Sequence, residues 1–303
     1  MNTFSVVVPV FRGMDTLETI VKELTFQYND CLKEIIFVFD NGNIPSWENI
    51  KDLSKKYNLV KGVRLSRNYG QHNATICGFK FATGDFIVTI DEDLQHNPLG
   101  IKLLINKQVE TDADLVYGVY EEKKHSGFRN FTSYLLNRLL KYGIPELHND
   151  YSSYRLIRTE VAKKTLEMNN SYTFLDGYLT WFTTKVSSVN VTHYQSQSGK
   201  SSYTLKKLIE HSINIFVTFS NLPIRILSIF SILFFLSSSF YSLYIILNVL
   251  SNKNYAAGFP TIVVMLGFGF GFILLGLGII GEYIQRINLK STNRPNFSIK
   301  EVI

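Results

Sequence analysis

The sequence predicts an α/β domain, in which a mostly parallel sheet is flanked by helices, followed by a C-terminal hairpin of two transmembrane helices. Along the first 120 residues, short runs of β-branched and aromatic residues alternate with stretches whose apolar residues recur at helical spacing. This alternation is typical of a doubly wound sheet. The last quarter of the chain instead contains two long apolar stretches without a charged residue.

Five strands are expected, and each is a short run of mainly apolar residues. The second and fourth runs, EIIFVFD and DFIVTID, end in Asp40 and Asp91. Because ligands bind beyond the carboxyl ends of the strands in open α/β sheets, both acids are expected at the binding edge. The predicted strands span residues 4–10, 34–40, 60–66, 85–91 and 114–120.

Helices are expected between these strands. After the first strand, Leu17, Ile20, Val21 and Leu24 recur at the spacing of one helical face. WENIKDLSKKY predicts a second helix, and ATICGFKFATG predicts a third helix that ends at Gly84. Neither of the common glycine-rich phosphate loops, G-x-G-x-x-G and G-x-x-x-x-G-K-[ST], occurs in the chain.

Residues 226–250 and 259–281 each exceed the roughly 20 residues that a helix needs to cross a bilayer core. Two buried core helices, the alternative, would show a polar face. Lys253 is the only basic residue between the two stretches, so the positive-inside rule predicts that the N-terminal domain and both termini are cytoplasmic. In a bacterium, the protein would lie in the plasma (inner) membrane. The basic residues on the outer flanks are Arg225, Arg286, Lys290, Arg294 and Lys300.

The composition also limits the partners. With 46% apolar and 14% aromatic residues, the chain can build a full core. Its net charge of +6 suits an anionic partner, either a phosphate ligand or a membrane surface. No basic run or zinc pattern points to nucleic acid. Cys31 and Cys77 are the only cysteines, which predicts reduced thiols and no disulfide framework.

Three adjacent acids, Asp91, Glu92 and Asp93, follow the fourth predicted strand. Adjacent carboxylates repel one another, and at the end of a buried strand they need a cation or hydrogen-bond donors. Asp91 and Asp93 can bind a hard divalent cation whose other ligands are substrate phosphates and water. The alternative is a solvated acidic turn.

Ordered motifs along nearly the whole chain carry a family resemblance. TGDFIVTIDEDLQHNP matches G-D-x-x-x-x-x-D-x-D-L-Q-x-x-P in order and spacing, and SVVVPVF, IIFVFDNG and LSRNYGQHNA precede it. FRNFTSYLLNRLL, NDYSSYRLI and GKSSYTLKKLI follow it. Together these segments resemble glycosyltransferase family 2, and in particular its polyprenyl-phosphate sugar transferases, the dolichol-phosphate mannose synthase group.

The resemblance implies a nucleotide-diphospho-sugar transferase (GT-A) domain over residues 1–204, an interfacial amphipathic helix over 205–223, and a transmembrane hairpin with a cytoplasmic tail over 224–303. It also implies Mg²⁺ or Mn²⁺ as a cofactor. The implied metal ligands are Asp91, Asp93 and Gln95. The implied nucleotide-binding residues are Pro9, Phe11, Asp40, Ser66, Arg67 and Asp91.

The implied reaction is the inverting transfer of a sugar from a UDP- or GDP-sugar to a membrane polyprenyl phosphate, such as undecaprenyl or dolichyl phosphate. The product would be a lipid-linked sugar for cell-surface glycan synthesis. Arg129 and Ser133 would hold the acceptor phosphate. The alternative is an exposed amphipathic helix, and both can be true, since a basic helix on the membrane is where a lipid phosphate would arrive. The chain could also form a homo-oligomer. The residues implied in catalysis are Asp93, Arg129, Ser133, Asp150 and Asp176.

Two other functions stay open. Asp176 lies where related enzymes that act on sugar hydroxyls carry a catalytic base, so a lipid-linked glycan could be the acceptor. Asp176 could instead be a turn residue before Gly177. From a different class, the chain could be a membrane scaffold that binds nucleotide-sugar without turnover.

Three segments depart from the family pattern at positions expected to contact substrates. The change at Arg12-Gly13 affects one expected nucleotide contact, and Lys200 could supply the charge that is missing at Ser196. Arg12-Gly13 replaces Asn-Glu, Asp40-Asn41-Gly42 replaces Asp-Gly-Ser, and Ser196 replaces an arginine.

Overall fold

The computed structural model describes residues 2–12, 16–120, 144, 147–148, 150–168, 170, 172–191, 214–215, 218–220, 222–250, 258–291 and 295–303. Within these residues, one sheet of eight strands forms the centre of the N-terminal domain. The strands are β1 (Phe4–Val10), β2 (Leu32–Phe39), β3 (Val60–Leu65), β4 (Phe86–Thr89), β5 (Leu115–Tyr120), β6 (Arg155–Arg158), β7 (Val186–Val191) and β8 (Ile299–Val302).

Helices connect most of these strands. A short 3₁₀ turn, Pro98–Gly100, leads into α4, and another, Thr165–Glu167, follows α5. The helices are α1 (Thr16–Tyr28), α2 (Ile44–Lys56), α3 (Gln71–Phe79), α4 (Ile101–Thr111), α5 (Thr159–Lys164), α6 (Leu175–Thr180), α7 (Leu222–Leu250) and α8 (Phe259–Ser291).

The strand order is β7-β5-β6-β4-β1-β2-β3-β8. The pairs β1–β2, β1–β4, β2–β3 and β5–β7 are parallel. β6 runs antiparallel to both β4 and β5, and β8 runs antiparallel to β3. The sheet is therefore mostly parallel, as predicted, and the carboxyl ends of β1 to β4 meet at one edge.

All five predicted strands are present, and their ends differ from the predicted ones by at most two residues. The prediction for the third helix is wrong at its C-terminus, because α3 ends at Phe79 and not at Gly84. The main-chain N–H groups of Lys80 and Phe81 bond to the carbonyls of Cys77 and Gly78 at 3.2 and 3.0 Å, which closes the helix in tight turns. Three further strands, β6, β7 and β8, complete the sheet beyond the five predicted ones.

Apolar residues fill both faces of the central strands. In β2, Ile35, Phe37 and Phe39 pack in the core under α1, α2 and α4, whereas Ile36 and Val38 pack in the core under α3. Strands buried on both faces read as continuous apolar runs, which explains the pattern EIIFVF. Both cysteines are free thiols, as predicted, and burial raises the pKa of Cys77 to about 12.

The C-terminal strand β8 returns the chain to the edge of this sheet. Gly62 and Ile303 exchange two main-chain hydrogen bonds of 3.0 and 2.9 Å, and the N–H of Ser66 donates to the carbonyl of Ser298 at 2.8 Å. The indole N–H of Trp47 lies 3.2 Å from a carboxylate oxygen of Glu301. The residues after α8 are therefore part of the N-terminal domain's sheet.

The two long apolar helices, α7 and α8, contain the predicted spans. Within the described residues, Gly269–Asn288 is long and apolar enough to cross a membrane, and only 6% of this apolar segment is buried inside the protein. In α7, the described apolar segment Ile224–Phe234 is shorter. The rings of Phe234 and Phe272 stack at 6.1 Å between the two helices.

A buried carboxylate joins three strands at the amino-terminal end of the sheet. Glu34 accepts hydrogen bonds from the hydroxyl of Ser5 (2.6 Å), the ammonium of Lys61 (2.6 Å) and the main chain of Thr83 (2.7 Å). Burial alone would raise the pKa of Glu34, but the bonds from Lys61, Ser5 and Thr83 outweigh it, so the pKa is lowered. This site lies at the opposite end of the strands from the acids Asp40 and Asp91.

Replacing Glu34 with alanine should destabilise the domain without changing its activity. The loss of charge-assisted bonds and the unpaired donors that remain should cost about 2 kcal/mol, a shift of about 4–8 °C in melting temperature for a domain of this size. Thermal unfolding of the detergent-solubilised protein measures the shift. The matched control is Glu110→Ala, which removes an exposed carboxylate paired with Lys107 in α4.

The same pair of proteins tests the pH dependence. Because the folded-state pKa of Glu34 lies below its ordinary value of 4.5, its stabilising contribution is present above that value and is lost as the pH falls through the folded pKa. The difference in melting temperature between wild type and Glu34→Ala should therefore shrink progressively as the pH falls below 4.5. An undiminished difference at lower pH would contradict this assignment.

Candidate active site

The acidic turn after β4 gives each of its three carboxylates different partners. Asp91 accepts a hydrogen bond from the side-chain amide of Gln71 at 2.6 Å and another from the hydroxyl of Ser153 at 2.8 Å. Gln71 begins α3, and Ser153 precedes β6. Asp91 therefore joins the ends of three separate elements at the carboxyl edge of the sheet.

A buried histidine supports the same turn. The main-chain N–H of Asp91 donates to Nδ1 of His96 at 2.9 Å, so in the neutral imidazole the proton lies on Nε2. Nε2 is 3.4 Å from the Ser153 hydroxyl and 3.7 Å from Oδ2 of Asp91. The imidazole also stacks on the ring of Tyr154, with 5.0 Å between centroids. His96 thereby fixes the backbone position from which the Asp91 side chain projects.

The middle acid, Glu92, faces the loop after β1. Its Oε2 accepts the main-chain N–H of Phe11 at 3.0 Å, and both of its oxygens lie 3.2 Å from the main-chain N–H of Arg12. Glu92 therefore binds the backbone of a segment that the sequence analysis predicts to contact the nucleotide.

The third acid, Asp93, lies in a constrained backbone. Its Oδ1 accepts the main-chain N–H of Gln95 at 3.1 Å. Between them, Leu94 has a φ of 60°, a left-handed conformation that is unfavourable for a bulky residue by about 1–3 kcal/mol. Packing of the Leu94 side chain against the core stabilises this conformation. The Asp93 carboxylate is partly exposed at the open edge of the sheet.

The donor set of this turn suits a hard divalent cation completed by substrate. Within the described residues, no group of three His, Cys, Asp or Glu side chains could hold a metal ion by itself. Two carboxylates, Asp91 and Asp93, with the amide oxygen of Gln95, match the oxygen ligands that Mg²⁺ and Mn²⁺ prefer, with phosphates and water in the remaining positions. The predicted metal ligands therefore fit such a cation by their chemistry.

The predicted nucleotide residues at the ends of β2 and β3 surround one loop. Asp40 accepts the main-chain N–H groups of Tyr69 and Gly70, both at 2.7 Å, and Gly70 takes a φ of 86° that favours glycine. Burial raises the pKa of Asp40, against the effect of these two bonds. The Ser66 hydroxyl lies 3.1 Å from the Tyr69 hydroxyl, and the Arg67 guanidinium is 4.7 Å from the Tyr69 ring centroid.

The departures near β1 and β2 are accommodated by the backbone. Asn41 takes a φ of 47°, which asparagine tolerates better than most residues, in place of the family's glycine. A Cβ on Gly42 would lie 1.8 Å from the carbonyl oxygen of Phe11, and this carbonyl accepts the N–H of Asn43 at 3.0 Å. Phe11 is partly exposed beside this contact, whereas Pro9 is buried within β1.

Asp176 lies in a buried ion pair. It is in the first turn of α6, where it contacts Nη1 of Arg155 and accepts the hydroxyl of Tyr117 at 2.9 Å. Burial, with a further effect from the Asp176 charge, raises the pKa of Tyr117 well above its usual value. The Nε of Arg155 also donates to the hydroxyl of Thr89 at 3.1 Å. Asp176 is therefore buried and paired in this structure.

The remaining predicted residues are only partly described. Asp150 is exposed and accepts the hydroxyl of Ser188 at 3.0 Å. Arg129, Ser133 and Ser196 lie outside the described residues, as does most of the predicted interfacial helix, 205–223.

Four residues of the site were not predicted by the sequence analysis. Gln71 and Ser153 lie within family-like segments, LSRNYGQHNA and NDYSSYRLI, and these segments were the available signal for them. Glu92 had a signal too, as the third of three adjacent acids. The residues in question are Gln71, Glu92, His96 and Ser153.

Comparison with known proteins identifies the family. Residues 5–166 match the family described as Glycosyl transferase family 2. The chain belongs to glycosyltransferase family 2. The resemblance noted in the sequence is thereby confirmed, and the chain is a glycosyltransferase, which disfavours the non-catalytic scaffold.

Two relatives match this family 2 chain over nearly its whole length. A protein of Edwardsiella ictaluri (strain 93-146), named undecaprenyl-phosphate 4-deoxy-4-formamido-L-arabinose transferase, is 31% identical over 305 residues, covering 99% of this chain and 94% of the relative. A protein of the same name from Klebsiella pneumoniae (strain 342) is 30% identical over 310 residues, covering 99% and 93%.

Solved structures confirm the GT-A-like fold of the family 2 domain. Glucosyl-3-phosphoglycerate synthase from Mycobacterium tuberculosis, in complex with Mn²⁺, UDP and glucosyl-3-phosphoglycerate, superposes with a TM-score of 0.56. It is 19% identical, and the match covers 72% of this chain and 78% of that one. The complex of the same enzyme with Mn²⁺, UDP-glucose and phosphoglyceric acid gives the same TM-score of 0.56.

Replacing Asp93 with asparagine should abolish most turnover and leave the fold intact. Asparagine keeps the size of the side chain but removes the charge that a hard cation prefers, so activity should fall by ~100-fold or more. The stabilisation of the protein by Mn²⁺ with UDP or GDP, measured by thermal shift, should fall in parallel. Asp52→Asn, at an exposed position in α2, is the control. Full activity of Asp93→Asn, or of wild type in excess chelator, would contradict the metal assignment.

Proposed function

We propose that this glycosyltransferase transfers a sugar from a nucleoside-diphospho-sugar to the phosphate of a membrane polyprenyl phosphate. The observation that carries the proposal is the match to proteins named undecaprenyl-phosphate sugar transferases, because it extends through 99% of this chain, including the apolar helices. Either UDP or GDP could be the donor nucleotide. The solved relatives that bind Mn²⁺ with UDP-glucose support a divalent cation as cofactor, as either Mg²⁺ or Mn²⁺.

The proposed acceptor sets what the site must do. A phosphate oxygen is already an anionic nucleophile, so its in-line attack on the anomeric carbon needs no general base and inverts the configuration. A bound cation would stabilise the charge that develops on the departing nucleoside diphosphate. Asp91 and Asp93 would hold that cation. Arg129 and Ser133 would hold the acceptor phosphate through charge-assisted hydrogen bonds.

The alternative acceptor, a sugar hydroxyl, requires a base. Asp176 could act as one only by leaving Arg155 and Tyr117, and removing one partner of a buried ion pair costs about 3–5 kcal/mol. The geometry of Asp176 therefore supports the lipid phosphate acceptor, with Asp176 as a structural residue.

The proposed domain organisation is a GT-A domain over 1–204, an interfacial helix over 205–223, and a membrane hairpin with a cytoplasmic tail over 224–303. The last strand of that tail, β8, rejoins the sheet of the GT-A domain. The pairing of β8 with β3 supports the hairpin. Because the chain leaves the domain before α7 and rejoins its sheet after α8, the two helices must cross a membrane an even number of times or not at all. Two crossings, with the GT-A domain in the cytoplasm, satisfy this condition and the positive-inside rule.

This topology predicts opposite accessibilities for two parts of the chain. A tag inserted at Asn252 should react with a membrane-impermeant reagent on intact cells, because the loop between the spans faces outside. Residues 1–220 should resist protease added to the same cells and become sensitive after lysis. Cleavage of the N-terminal domain in intact cells, with protection of the loop tag, would contradict the proposal.

Two substitutions separate the acceptor hypotheses. If the nucleophile is a lipid phosphate, Arg129→Ala should lower activity by about 100-fold, because it removes a group that positions and neutralises the acceptor. Asp176→Asn should be mild in kcat, because its carboxamide oxygen can still accept from Arg155 and Tyr117. If a sugar hydroxyl reacts, Asp176→Asn should instead cost about 10²–10⁴ in rate.

The assay uses purified protein, undecaprenyl phosphate and a panel of UDP- and GDP-sugars. Lys55→Ala, an exposed substitution in α2, is the control for the loss of a positive charge. Melting temperatures should be recorded for each variant, because a drop in activity of Asp176→Asn counts as loss of a base only if the protein stays folded. An inactive, folded Asp176→Asn beside an active Arg129→Ala would overturn the lipid phosphate proposal.

A further inference from the structure

We propose that Glu92 is a positioning residue, which fixes the nucleotide-binding loop after β1 to the cation-binding turn. This inference rests on the proposed donor site. Glu92 lies between Asp91 and Asp93, and on sequence alone it could be a third metal ligand. The structure instead assigns its carboxylate to the backbone of Phe11 and Arg12.

The hydrogen bonds of Glu92 begin where the sheet pairing of β1 ends. Val10 is the last residue of β1 that pairs with β2. The next two main-chain N–H groups, those of Phe11 and Arg12, donate to Glu92 over 3.0–3.2 Å. Bonds from N–H groups to a carboxylate are stronger than those to a neutral acceptor, so this contact can hold a loop that lacks strand partners.

The opposite side of the loop is held by the end of β2. The carbonyl of Phe11 accepts the N–H of Asn43 at 3.0 Å, and its close approach to Gly42 leaves no space for a side chain there. The loop is therefore fixed between two segments, the acidic turn after β4 and the turn after β2. Both of these turns carry residues of the proposed donor site.

The neighbouring acids show why Glu92 is not equivalent to them. Asp91 contacts Gln71 and Ser153, and Asp93 contacts the backbone of Gln95, so the three carboxylates point to different parts of the edge. Both oxygens of Glu92 are instead engaged by the main-chain N–H groups of Phe11 and Arg12.

The loop that Glu92 fixes presents two side chains to solvent at this edge. Phe11 is 37% exposed, and the Arg12 guanidinium lies 5.4 Å from its ring centroid. Arg12 occupies a position where the family often has asparagine, and Glu92 holds its main-chain N–H in this chain. Without Glu92, neither side chain should keep a fixed position relative to the cation-binding turn.

The test compares Glu92→Ala, Glu92→Gln and the control Glu110→Ala, an exposed carboxylate in α4. In Glu92→Ala, the KM for the donor sugar nucleotide and the Kd for UDP or GDP with Mn²⁺ should rise by about 10–100-fold, because charge-assisted bonds are lost. The kcat at saturating donor should change by less than about 3-fold, since the cation ligands remain. Glu92→Gln keeps one acceptor oxygen and should fall between wild type and Glu92→Ala.

Amide hydrogen exchange supplies a readout that does not depend on catalysis. The peptide that contains Phe11 and Arg12 should exchange faster in Glu92→Ala than in wild type, while peptides from α2 should not change. An unchanged donor KM, or unchanged exchange of this peptide, would overturn the proposal. So would a collapse of kcat without a change in KM, which would make Glu92 a metal ligand.

These outcomes are distinct from a failure of the proposed function. If wild type binds neither UDP nor GDP and turns over no nucleotide-sugar, the donor site itself is wrong. Faster exchange at Phe11 and Arg12 in Glu92→Ala would then still show that Glu92 holds the loop.

Discussion

The need to compensate three adjacent carboxylates at the end of a buried strand organises the whole candidate site. Asp91, Glu92 and Asp93 would repel one another, and each is directed to a different set of donors. Through these donors, the turn binds the loop after β1, the start of α3 and the segment before β6. A divalent cation would add to this compensation, since it takes the same oxygen ligands. The negatively charged side chains of this turn therefore hold the three segments together by hydrogen bonds.

The sequence predicted the location of this site better than its internal contacts. Asp40 and Asp91 could be placed at one edge because parallel strands end together, and the strand pattern was strong. Ser153 could not be placed, because its contact with Asp91 spans 62 residues and leaves no periodic signal in the sequence. The buried pair of Asp176 with Arg155 was missed for the same reason, and so Asp176 was left between a base and a turn residue.

The C-terminal strand β8 follows the apolar helix α8 and pairs with β3, beyond whose end lie the predicted nucleotide-binding residues Ser66 and Arg67. IKEV is too short to predict as a strand, and its pairing with β3 depends on the return of the chain after α8. The carbonyl of Ser298 accepts the N–H of Ser66, a predicted nucleotide residue, and Glu301 contacts Trp47 under the same edge.

The proposed acceptor is the phosphate group of a lipid. The most direct measurement is the transfer of labelled sugar from nucleotide-sugars by the purified protein to undecaprenyl phosphate, compared with undecaprenol, which has the same chain without the phosphate. If the lipid phosphate is the acceptor, labelled sugar should appear in the lipid phase only with undecaprenyl phosphate. The product should hold one phosphate and have the inverted anomeric configuration. Label on undecaprenol, or retention of configuration, would contradict it.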